Sequence, residues 1–106
     1  MVKFCMISQP MNGLTDEEIS ETHDRAIKAV KELGYEFMKS YFVESFRVNE
    51  DGSCDVNIPV HFLAKAINVM SKCTAVYFCK GWKDARGCII EHEIATRYGY
   101  ECIYEE

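Results

Sequence analysis

Glu91 is the residue whose type and spacing first suggest chemistry. It follows a strand-like run, Ala75 to Cys79, and a polar crossing, Lys80 to Gly87, that has two glycines and no apolar period. From Cys88 the apolar spacing becomes helical. Ile90, Glu91, Ile94, Ala95 and Tyr98 share one predicted face, and Gly99 is the expected stop. A carboxylate on an inward stripe, one turn into a helix at the C-terminal end of a parallel strand, lies where α/β folds hold ligands. The same residue also fits a plain role at the edge of the stripe, favoured by the helix dipole. Spacing alone leaves both readings open.

A second polar loop belongs to the same sheet edge. Val2 to Ile7 is the expected first strand, and Ser8-Gln9-Pro10-Met11-Asn12-Gly13 follows it directly. Ser8 and the backbone N–H groups of Asn12 and Gly13 are candidates for holding a phosphate or a sugar; an ordinary βα turn is the alternative. Thr15 and Glu18 then form a capping-box pattern. Ile19, Ala26, Ile27, Val30 and Leu33 carry the first helix to Gly34, with His23 on that stripe as an expected core or boundary residue.

The elements that position these loops read as a small α/β domain. Tyr35 to Met38 is the expected second strand, and the β-type residues from Ser40 to Val48 extend it or form an edge excursion. Tyr41, Phe42 and Phe46 are expected in the core, with a pocket wall as the alternative. Asn49 to Ser53 reads as a turn. Pro59 sits in the first turn of a helix running to Ser71. Its main stripe is read as Leu63, Ala64, Ile67 and Met70, widened by Phe62, Ala66 and Val69. Tyr100 to Tyr104 is the last strand. The order predicts one domain, residues 1–106, with a parallel sheet of four to five strands, order 2-1-3-4, flanked by helices on both faces in a flavodoxin-like or Rossmann-like three-layer sandwich.

Composition excludes several classes. With 106 residues and a net charge of −5, the chain has no basic footprint for a nucleic-acid polymer. It has no apolar run near the roughly 20 residues of a membrane helix, and no signal-peptide pattern, so a cytoplasmic protein is expected. Its six cysteines include no C-x-x-C pair and its three histidines are scattered, which predicts reduced thiols rather than a zinc site or disulfide framework. No metal and no cofactor are expected. The broad apolar face of the 59–71 helix predicts a homo-oligomer, most simply a dimer.

These motifs taken together resemble the nucleoside 2-deoxyribosyltransferase superfamily, nearest its short bacterial and phage-borne relatives. The likeness rests on the Ser8–Gly13 loop, Tyr77-Phe78-x-x-Gly81-Trp82, and Arg86-Gly87-Cys88-x-x-Glu91-His92-Glu93-x-Ala95. Gly87, Glu91, Ala95 and Gly99 match the superfamily spacing. The resemblance implies that Glu91 is the nucleophile attacking the anomeric carbon of a deoxynucleoside or its 5′-monophosphate. An oxocarbenium-like state suits such a carboxylate. Asp84 is then the candidate acid for the leaving base, or else a solvated loop charge. Trp82 is a candidate base-stacking residue, or else a cap on the helix layer. Arg86 and the amides around Gly87 are candidates for a phosphate. Gln9, Pro10, Met11 and Gly81 enter as substrate-binding positions. The chain departs from the superfamily at Ala85, Gln9 and Thr74, which stand where an acid or hydroxyl, a Gly and an Asp are usual. Hydrolysis, transfer, or nucleotide sensing without chemistry all fit these residues.

Overall fold

A computed structural model describes residues 2–40 and 44–106. Four parallel strands, β1 (Phe4–Ser8), β2 (Glu36–Met38), β3 (Ala75–Phe78) and β4 (Glu101–Tyr104), form one sheet of order β2-β1-β3-β4. Three α-helices cover it: α1 (Asp16–Glu32), α2 (Ile58–Met70) and α3 (Arg86–Arg97). The expected topology and strand order hold, with four strands.

Strand alternation sorts the core into two layers. Cys5, Ile7, Ala75, Tyr77 and Cys79 face α1 and pack with Ala26 and Val30. Met6, Val76 and Phe78 face the opposite way and pack with Ala66, Val69 and Met70 of α2 and Ala95 of α3. The register pairs Met6 with Val76 and Ser8 with Phe78. Ser8 therefore shares the parity of Met6 and belongs to the α2/α3 side. The sheet changes winding direction between β1 and β3, which is where an open α/β sheet leaves a crevice.

Local chemistry fixes the ends of the helices. Thr15 caps α1, its hydroxyl accepting from the Glu18 N–H while the Glu18 carboxylate accepts from the Thr15 N–H. At the other end Gly34 takes φ 90°, and the N–H groups of Gly34 and Tyr35 close onto the carbonyls of Lys31 and Val30. Asn57 caps α2 ahead of Pro59. Gly99, at φ 77°, ends α3.

Three sequence expectations are corrected. The buried face of α3 is Cys88, Glu91 and Ala95; Ile90 and Tyr98 are 43% and 77% exposed. The inward face follows the spacing of three and four that joins Cys88, Glu91 and Ala95. The sheet-facing stripe of α2 is Ala66, Val69 and Met70, with Ala64 exposed. Residues 44–48 are not a strand. Glu44 instead pairs with Lys65 and His61, and Phe46 packs edge-on against His61 and Phe62, so this segment lies along α2. Tyr41 and Phe42 lie outside the described residues. Among the described residues, no helix is long and apolar enough to cross a membrane.

Candidate functional site

The loops after β1 and β3 meet. Gly81 sits at φ 86°, a conformation that disfavours any side chain, and a Cβ there would lie 3.5 Å from Pro10. A single 3-10 turn, Trp82–Asp84, then leads into α3. Between the two loops and α2 lies a cleft of about 430 Å³. Gln9 to Asn12 line one side and Gly81, Asp84 and Arg86 to Cys88 the other; Phe62, Leu63 and Ala66 of α2 form an apolar wall.

Glu91 lies at this cleft and is only 7% exposed. The Ser8 hydroxyl donates to its Oε1 at 2.8 Å, joining the end of β1 to the second turn of α3. Burial pushes the Glu91 carboxyl up to about 7, and the Ser8 hydrogen bond works against that rise. Near neutral pH the group therefore exchanges between a carboxylic acid and a carboxylate, the range in which a nucleophile or a proton carrier operates. Cys88, one turn earlier, also lines the cleft, but burial pushes its thiol up to about 11. It is a poor nucleophile there.

The start of α3 has no side-chain cap and no acidic residue in its first turn. The first helical bond from this end is Ile89 N–H to Ala85 carbonyl, 2.9 Å, so the amides of residues 86–88 precede the i→i−4 ladder. A Cβ on Gly87 would meet open space. With Arg86 beside them, this end of the cleft suits an anion. Among the described residues, no group of three or more His, Cys, Asp or Glu is arranged to hold a metal ion.

The family described as Domain of unknown function (DUF4406) matches residues 3–104. The chain belongs to that family. No curated protein and no solved structure matches it. The whole Glu91 cleft therefore falls within the DUF4406 domain.

The structure brings together most, not all, of the residues read from the sequence. Gln9, Pro10, Met11, Asn12, Gly81, Asp84, Arg86, Gly87 and Glu91 border the cleft. Ser8 is 1% exposed and reaches the site through Glu91. Gly13 is exposed and does not line the cleft. Trp82 does not line it either. Its ring stacks on His92 at 4.1 Å and packs beside Phe78 and Tyr104, and His92 in turn bonds the Tyr104 hydroxyl at 2.7 Å. Trp82 thus caps the layer of α3 and β4. The α2 wall escaped the sequence reading, because Phe62, Leu63 and Ala66 carry the same apolar signal as core. Only their place beside the two loops distinguishes them.

Proposed function

We propose that this DUF4406 chain breaks the N-glycosidic bond of a deoxynucleoside or its 5′-monophosphate, with Glu91 as nucleophile. The observation that carries the reading is a nearly buried carboxylate, oriented by Ser8, at a cleft on the C-terminal edge of a parallel sheet. A Glu91 oxygen attacks the anomeric carbon, and the bond to the base nitrogen breaks with its electron pair leaving on the base. Asp84, the other carboxylate of the described lining, supplies the proton that the base takes up. Water then hydrolyses the glycosyl ester, or a second base displaces it. Arg86 and the α3 amides receive a 5′-phosphate. Six free cysteines suit a reducing cytoplasm, and the active form is a homodimer.

The test is direct. Purified protein is incubated with deoxynucleosides and their 5′-monophosphates, and free base is separated by chromatography. Base release that disappears in Glu91→Gln and persists in Glu93→Gln is the expected result. Glu93 is an exposed control that pairs with Arg97. Binding without base release would instead make the domain a nucleotide sensor.

A further inference from the structure

Gln9 is a polar side chain, 8% exposed, at the border of the cleft. Its hydrogen bonds fix its orientation. The Nε2 donates to the Ile19 carbonyl at 3.1 Å, a contact that the amide oxygen cannot make. The Oε1 therefore faces His23 Nδ1, 2.8 Å away, and Nδ1 must carry the proton. His23 is itself held edge-on against Phe37, with ring centroids 5.3 Å apart. Burial lowers the His23 pKa, which favours the neutral ring. Both anchors belong to α1. One amide hydrogen and one oxygen lone pair of Gln9 remain beyond these two bonds.

We infer that Gln9 is a ligand-contacting residue of the cleft, presenting its second amide hydrogen to an uncharged acceptor on the ligand, and that His23 is the positioning residue that locks it. The inference deepens the glycosidic reading and rests on it. The acceptor is a sugar hydroxyl or a base carbonyl oxygen, because the anion end of the cleft is at Arg86 and the start of α3. A locked amide has little rotamer freedom to lose on binding.

Isothermal titration with deoxynucleoside 5′-monophosphates, deoxyribose 5-phosphate and inorganic phosphate tests this in the wild type, Gln9→Met, His23→Phe and His23→Asn. His23→Phe keeps a ring against Phe37 but removes the donor. His23→Asn loses the ring but keeps an N–H near the Nδ1 position. The expected result is about tenfold weaker nucleotide binding in Gln9→Met and His23→Phe, recovery toward wild type in His23→Asn, and unchanged affinity for inorganic phosphate. Loss for deoxyribose 5-phosphate as well identifies a sugar hydroxyl as the acceptor; loss confined to the nucleotide identifies the base. A purely structural role for His23 gives the opposite order, with His23→Asn the weaker binder, and overturns the inference. Long-range ¹⁵N spectra of the wild type should show His23 protonated on Nδ1, and protonation on Nε2 alone would overturn the lock even where Gln9→Met fails to fold. Undiminished nucleotide binding in both Gln9→Met and His23→Phe refutes this inference and leaves the glycosidic reading standing. Weakened binding in those variants, with no base release by the wild type, supports this inference and removes the catalysis. Binding of no member of the panel refutes both.

Discussion

At the scale of single residues, Glu91 decides most. If it is the nucleophile, Glu91→Gln removes the charge that meets the oxocarbenium carbon, and base release should fall by a factor on the order of 10³ or more. The wild-type rate should climb as pH rises through about 7, because only the carboxylate attacks. A rate that falls over that range would make Glu91 a general acid. Stability should run the other way. The folded-state carboxyl is raised from 4.5 to about 7, so its contribution is fully present below 4.5 and is lost as pH rises through about 7. The loss is on the order of 3 to 4 kcal/mol at most, from about 1.4 kcal/mol per pKa unit over the rise from 4.5 to about 7. Urea unfolding at pH 4.5 and pH 8 should therefore show Glu91→Gln gaining on the wild type as pH rises; a constant gap would show that burial does not shift the group. The position of Glu91 was legible from its spacing to Gly87 and Ala95. Its Ser8 partner was not, since the two lie 83 residues apart and meet only when β1 and α3 share a sheet edge.

At the scale of elements, the strands and caps were legible and the helix faces only partly so. Thr15 and Glu18 announce α1, Pro59 announces α2, and Gly34 and Gly99 announce their stops, because each satisfies local backbone groups that no distant contact can replace. The faces of α2 and α3 depend on what lies opposite. An apolar period cannot distinguish sheet from cleft, so the spacing places Leu63 on the main stripe of α2 and Ile90 on an inward stripe of α3. Residues 44–48 misled for a related reason: their β-type side chains found α2 rather than a strand edge. α1 also carries Ile19 and His23, which hold Gln9. Thr15→Ala should cost about 1 kcal/mol in urea unfolding. Loss below a few tenths would mean that the box contributes no net stability. The cap lies at the exposed end of α1, so base release should survive the change.

At the scale of the whole molecule, the two helical layers differ in what they leave outside. Among the described residues, α1 exposes no large apolar side chain along Asp16–Glu32. The opposite layer exposes Ile58 and Val60 on α2 and Ile89 and Ile90 on α3, with Val60 56% exposed. The sheet takes Ala66, Val69 and Met70 of α2, and the cleft takes Phe62 and Leu63. Ile58, Val60, Ile89 and Ile90 thus leave apolar surface exposed on this layer. A second copy of the chain can bury it through a two-fold contact in which the same patch serves both partners. Light scattering should give twice the chain mass of 12.2 kDa. Val60→Glu and Ile90→Glu each install a charge on this exposed apolar surface and should shift the protein toward monomer, with little change in urea stability, since neither side chain belongs to the core. A wild-type monomer at high micromolar concentration would exclude the dimer, and dimers unaffected by both changes would place the contact on another face.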